Sequence, residues 1–206
     1  MLKLFYCPGS CSLASQAALE EAGAAYDREQ VDLGGDRTAY YGINPSGKVP
    51  ALLVDGALLT ENVAILLLAA RLHPERSLLP DEPMAQAQVH SFLAWCSNTA
   101  HIARRQFRAP VRFTPDASVH PALQAAGREA FWAVLRQIDQ RIGANRWVAG
   151  SAFSVCDCYA IVFYDWGLRD GHDMASLASY TRFADQMKDR PGARAALEAH
   201  KSPLLG

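Results

Sequence analysis

Three short stretches of the chain carry residues that could do chemistry together. Cys11 follows a strand-like run, Leu2-Lys3-Leu4-Phe5-Tyr6, and the turn Cys7-Pro8-Gly9-Ser10. With Ser12 it opens a helix, where unpaired N–H groups and partial positive charge favour a thiolate, whether the cysteine's own or a bound ligand's. A small residue packed under the loop would suit the same position. Val49-Pro50 precedes a strand. An X-Pro bond adopts cis at a cost of only about 0.5–1 kcal/mol, and a cis bond would bare the Val49 backbone to a peptide-like ligand that pairs like an added strand. Glu61 and Asn62 open a second helix. Glu61 suits an α-ammonium, and Asn62 with the first-turn amides suits an α-carboxylate. A first-turn acid is also favoured by the helix dipole alone. The set converges on one small thiol ligand with a zwitterionic end.

A fourth group lies further on. His101, Arg104, Arg105 and Arg108 follow i, i+3, i+4, i+7 spacing and share a helix face. That face flanks the apolar stripe, as the lip of a cleft would, although a solvated basic edge has the same spacing. Cys7 and Cys11 are spaced C-x3-C rather than C-x-x-C, which argues against an internal dithiol pair. Tyr6, at the strand end, reads as a core aromatic. Ser154-Val155-Cys156-Asp157 fits a capping box, in which the acid has a folding role.

The elements that must position these residues change character along the chain. Strand and helix alternate through the first eighty positions: Leu2 to Tyr6, helix from Ser12 to Ala22 with a stop at Gly23, strand from Tyr26 to Leu33, a short helical stretch ending at Tyr41. Ala51 to Val54 and Ala57 to Leu59 flank Asp55-Gly56, a strong hairpin signal, and a helix from Thr60 ends near His73-Pro74. Ser77 to Pro83, with prolines around two acids, reads as a linker. Everything after it has helical period: a long helix striped by Val89, Phe92, Leu93, Cys96, Ala100, Ala103 and Phe107, a second from Pro121 to Ile142, a buried third from Ser154 to Leu168, and two shorter segments. We therefore expect two domains, 1–80 and 81–206.

Bulk properties exclude several classes. The 206 residues carry a net charge of −1, which gives no general attraction to nucleic acid. The most apolar run, Val63 to Ala70, is too short to cross a bilayer, and Met1 to Tyr6 breaks before an export signal could form. Five cysteines without a framework pattern favour a reducing compartment, with cytoplasm the expectation.

Leu4-Phe5-Tyr6-Cys7-Pro8-Gly9-Ser10-Cys11-Ser12-Leu13-Ala14, Val31-Asp32-Leu33, Asn44-Pro45-x-Gly47-x-Val49-Pro50-Ala51-Leu52 and Leu59-Thr60-Glu61-Asn62-Val63-Ala64-Ile65 resemble the bacterial beta-class glutathione transferases. The capping box and Arg190-Pro191 extend the likeness over the whole chain. The resemblance implies an α/β thioredoxin-like N-terminal domain followed by an all-α helical domain, assembled as a homodimer. It implies glutathione as co-substrate, no metal, and a small apolar electrophile as second substrate.

By the same likeness Cys11 lies beside the glutathione sulfur with Ser12 assisting, Val49 and Pro50 supply the backbone partner, and Glu61 and Asn62 clamp the γ-glutamyl end. Three departures qualify it. Asn62 stands where serine or glycine is common. Gly34-Gly35 lacks the lysine that reaches the glycyl end, leaving Lys48 or a basic residue such as Arg104 or Arg105 to substitute. Aligning Trp95 and Phe107 without gaps puts Arg104 where the beta class has a histidine, with His101 one turn earlier, so His101 is the expected catalytic member. The expected electrophile site lies between Pro8-Gly9 and the first long helix around Phe107. The rival activities are glutathione-dependent disulfide exchange through Cys11, and glutathione binding without turnover.

Overall fold

The computed structural model describes residues 1–206. Strand β1 (Leu2–Tyr6) is central in a four-stranded sheet of order β2-β1-β3-β4. It pairs in parallel with β2 (Tyr26–Gln30) and antiparallel with β3 (Ala51–Val54), which in turn pairs with β4 (Ala57–Thr60). A parallel pair needs a crossover, and α1 (Ser12–Ala22) provides it. Asp55 and Gly56 both take positive φ, 49° and 88°, as a tight hairpin turn between twisted strands requires.

Side-chain alternation along β1 sets the two faces of the sheet. Leu4 and Tyr6 join the main core beneath α1, while Phe5 joins Val31, Tyr40, Val49 and Ala51 on the other face. Tyr40 belongs to the short helix α2 (Thr38–Tyr41) and fixes the loop that follows: its hydroxyl donates to the Lys48 carbonyl at 2.6 Å, and Asn44 Nδ2 donates to the same oxygen at 2.8 Å. Gly47 in that loop has φ +62°, and a side chain there would run into the Tyr41 ring. The loop delivers Val49 and a cis Val49–Pro50 bond to the end of β3. Tyr6 is buried against the His200 ring, the core role expected of it.

Helix α3 (Asn62–Leu72) begins two residues later than the periodicity predicts, because Glu61 takes φ 72° and ψ 124° and cannot be helical. One of the proline-flanked acids after it has a capping role that the linker reading did not include. Glu82 caps α4 (Pro83–Trp95) by accepting from the Met84 and Ala85 amides at 2.9 and 2.7 Å. The predicted long helix is continuous but not uniform. Residues Cys96–Ala100 form a π-helical turn between α4 and α5 (His101–Arg108). Such an inserted turn rotates the faces before and after it, so His101 and Arg105 reach the sheet domain. Phe107 instead lies beside α6 (His120–Ile142), where its backbone leaves no room for a side chain at Gly127.

Helix α7 (Val155–Arg169) is buried without a break from Val155 to Gly167, which is why it is apolar all round. Its capping box forms as expected: Ser154 N–H donates to Asp157 Oδ2 at 2.8 Å, and Val148 N–H donates to the other oxygen at 2.8 Å. Helices α8 (Ala178–Asp189) and α9 (Pro191–Ala199) complete the chain. Helix α1 packs on α3, α7 and α9. The contact with α9 is close enough that a Cβ at Gly192 would stand 2.8 Å from the Glu21 nitrogen. Arg190 pairs with Glu21, and the Ala193 amide donates to the same carboxylate at 2.9 Å. No helix is long and apolar enough to cross a membrane.

Candidate active site

Cys11 is the N-cap of α1 and is 9% exposed. Its Sγ lies 3.7 Å from the Val49 carbonyl oxygen, a thiol-to-carbonyl hydrogen bond. Burial pushes the thiol up to about 11, against the opposing pull of the Asn62 amide and the Arg105 charge. Of the two thiolates the helix start could favour, the cysteine's own or a bound ligand's, burial disfavours the first and keeps the Cys11 Sγ a protonated donor. Ser12 is corrected. Its hydroxyl accepts from the Cys7 amide at 3.1 Å, shares a 2.7 Å bond with Ser10 and is wholly buried, so it shapes the turn from Cys7 to Cys11 and reaches no cleft.

The Val49 amide has no hydrogen-bond partner within the chain. With Pro50, Lys48, Glu61 and Asn62 it lines a trench of about 390 Å³ that runs past Cys11, His101, Arg105 and Tyr159. At its far end the exposed Glu61 sits at positive φ, a backbone strain of order 1–3 kcal/mol that persists where the surroundings enforce it. The first-turn amides of α3 have no intrahelical partners, the earliest bond being Ile65 N–H to the Glu61 carbonyl at 3.1 Å. They offer an anion site beside the Glu61 carboxylate.

Asn62 departs from expectation. Its Nδ2 donates to the Cys11 carbonyl at 3.1 Å and its Oδ1 accepts from Ser15 at 2.7 Å, with the residue 5% exposed. A carbonyl can only accept, so the amide orientation follows from the partner. The side chain ties the start of α3 to the start of α1, and only the backbone of Asn62 remains for a ligand.

The basic face of α5 divides. Arg104 donates to Asp170 through Nε at 2.6 Å and Nη2 at 3.1 Å, and lies 4.2 Å over the Trp166 ring. Its charge is neutralised by a buried carboxylate, which corrects its placement as a ligand cation. Arg105 has no carboxylate partner and donates to His101 Nε2 at 3.4 Å. Because a guanidinium only donates, the neutral His101 ring carries its proton on Nδ1. Burial, then Arg105, Arg104, Arg112 and Lys48, bring His101 down to about 3. It is a neutral ring at the cleft, packed edge-on to Trp166 at 5.1 Å.

Two contributors escaped the sequence reading. Trp166, on the apolar α7, donates from Nε1 to the Gly9 carbonyl at 2.9 Å and so joins the helical domain to the turn beside Cys11. Arg37, just after Gly34-Gly35, donates to the Gly47 carbonyl at 3.1 Å and faces the same space. A cation in the short loop where a lysine was missed was the available signal; for Trp166 the sequence held none. Both line a second cleft of about 620 Å³ that joins the trench along Cys11, Ser46, Lys48, Val49, His101 and Arg105. Phe107 is absent from its lining, and Pro8, Leu33, Ala109 and Trp166 supply its apolar floor.

A thiol donor, an unpaired amide beside it and an acid next to orphan helix amides make a receptor for an extended thiol peptide. The comparisons with known proteins agree. The profile of the glutathione S-transferase N-terminal domain matches residues 1–71. The chain is 31% identical to glutathione S-transferase GstA of Escherichia coli O157:H7 over 203 residues, 96% of this chain and 98% of that one. A glutathione transferase homologue from Sulfitobacter, solved with bound glutathione, superposes with a TM-score of 0.90 at 32% identity, covering 97% of this chain and 98% of the other. The beta-class enzyme of Sphingomonas chungbukensis gives 0.84 at 35% identity, over 96% and 98%. A likeness that runs from end to end of both partners, and not merely through the sheet domain, places the chain in the glutathione S-transferase family.

Proposed function

We propose that this glutathione transferase holds its co-substrate along the trench, with the cysteinyl backbone paired to the Val49 amide. Support comes above all from that unpaired amide beside the buried Cys11 thiol. The γ-glutamyl ammonium would meet Glu61, and its carboxylate the first-turn amides of α3. Lys48, Arg105 and Arg37 would serve the glycyl carboxylate. The domain boundary falls near residue 80, and the working unit is a homodimer in a reducing compartment, where all five cysteines stay free thiols as they are here.

A free thiol with a pKa near 8.5 is only a few per cent ionised at neutral pH, so lowering it by about one unit raises the thiolate fraction severalfold. The start of α1, the unpaired Arg105 charge and the Cys11 S–H, once it turns from the Val49 carbonyl to the ligand sulfur, all favour the glutathione thiolate. The bound thiol releases its proton to water. Sulfur then attacks the electrophilic carbon, the C–S bond forms, and a leaving group such as chloride departs with the bonding pair. Disulfide exchange through Cys11 is disfavoured by its neutral, buried thiol.

Titration calorimetry with reduced glutathione tests the reading, together with conjugation of chlorodinitrobenzene. Saturable heat that weakens about tenfold in Glu61→Ala, the loss of roughly 1.4 kcal/mol, is expected. Absence of heat for the native protein, with no conjugation, would sink it.

A further inference from the structure

We propose that the second substrate is anionic: an electrophile with a flat apolar body and a carboxylate or similar negative group. The inference rests on the transferase reading above and names the substrate class of the same site. The larger cleft is lined by Arg37, Lys48, Arg104, Arg105, Arg108 and Arg112, and by no carboxylate at all. The chain as a whole carries a net charge of −1, so this concentration is local.

Buried Asp170 behind the wall pairs with both Arg104 and Arg108, and one carboxylate neutralises only one of those two charges. Arg37, Lys48, Arg105 and Arg112 have no acid partner. Burial first, and then four of the cations, Arg105, Arg104, Arg112 and Lys48, keep the His101 ring neutral beside them on the same cleft lining.

Glutathione does not exhaust this charge. Its γ-glutamyl end is zwitterionic and belongs with Glu61 and α3, at the trench end away from the wall. That leaves a glycyl carboxylate and a thiolate. Lys48 and Arg105 line both trench and cleft, whereas Arg37, Arg104, Arg108 and Arg112 line the cleft alone. With Lys48, Arg105 and Arg37 assigned to the glycyl carboxylate and Arg104 neutralised by Asp170, Arg108 and Arg112 remain to face the position of the second substrate, next to the apolar floor of Pro8, Leu33, Ala109 and Trp166. A purely apolar electrophile would desolvate these guanidiniums without repaying them; an anionic one would pair with them.

The test compares 4-chloro-3-nitrobenzoate with the uncharged 4-chloro-3-nitrobenzamide, each kcat/KM divided by that compound's uncatalysed rate with glutathione. At low ionic strength the benzoate should be favoured about tenfold or more, the range that a charged cleft supplies. The preference should shrink severalfold near 0.5 M salt, where screening acts within about 4 Å. Arg112→Glu should lower the ratio further, with its glutathione-binding heat read alongside to report folding. A salt-independent ratio near one, or a preference for the amide, overturns the inference and leaves the transferase reading standing. Failure to turn over either compound together with failure to turn over chlorodinitrobenzene overturns both.

Discussion

The Cys11 thiol donates to the Val49 carbonyl across 3.7 Å, so the two residues that flank the expected ligand backbone already meet in the free protein. Burial holds that thiol near pKa 11, and a protonated thiol that turns from the Val49 carbonyl to a ligand sulfur stabilises it as a donor and does not attack. Cys11→Ser preserves a donor and should keep kcat/KM for chlorodinitrobenzene within about threefold. Cys11→Ala removes one hydrogen bond to a charged group, about 1.5 kcal/mol, and should lower it roughly tenfold. Steady-state kinetics decide the matter. A collapse of more than about a hundredfold in the serine variant would be beyond a single hydrogen bond and would make Cys11 the nucleophile.

Asn62 holds α1 and α3 together from a position read as ligand-binding. Asn62→Ala leaves the Ser15 hydroxyl unpaired in a buried place and removes a second donor from the Cys11 carbonyl, which keeps the Ala14 amide at 3.1 Å, at a cost of about 2 kcal/mol. For a chain of this size that lowers Tm by about 4–8 °C. Asn62→Ser, too short to span both partners, should recover only part of it. Thermal unfolding checks both, and an unchanged Tm in the alanine variant would return Asn62 to the ligand.

Arg104 and Asp170 form the costliest pair to break, because the carboxylate is 1% exposed and the guanidinium 15%. Asp170→Ala strands a largely buried cation over Trp166 and should cost about 3 kcal/mol. Arg104→Lys keeps the charge but loses the fork and the ring stacking, so it should fall between the variant and the native protein. Denaturant unfolding gives the comparison; equal stability of Asp170→Ala and the native chain would show that the pair carries nothing.

What was legible in the sequence was local. Asp55-Gly56 declares its turn, Ser154 and Asp157 their cap, and Gly23 its helix end, because each interaction closes within a few residues. Cys11, Val49 and Glu61 fall along one trench because each stands where strand and helix or loop and strand meet, so element order fixes where they lie. Side-chain partners were not legible. Asn62 reaches back to Ser15, Arg104 forward to Asp170, and Trp166 across to Gly9; nothing in the local pattern distinguishes such side chains from free ones. The π-helical turn at Cys96–Ala100 was hidden for another reason. An apolar stripe survives an inserted residue, while the polar face beyond it rotates.

His200 provides a pH test that does not touch the cleft. Its ring is wholly buried against Tyr6, neither nitrogen has a partner, and Arg169 and Arg28 are the nearby charges. Burial first, and those cations second, hold it down at about 3. An unfolded histidine titrates near 6.5. Between the two values the unfolded chain binds the proton and the folded chain does not, so stability is full above about pH 6.5 and declines as pH falls. By pH 4.5 the loss is about 2–3 kcal/mol. His101, also brought down to about 3, acts in the same direction, whereas Asp157, pushed up to about 7, acts oppositely between its unfolded and folded values. The raw pH profile therefore mixes signs, and the difference between the native protein and His200→Leu isolates one group. Near pH 7 the two should unfold within a few degrees of each other. At pH 4.5 the leucine variant should be the more stable, by about 5–10 °C in Tm. Parallel profiles across that window would mean that the buried ring takes up its proton without unfolding.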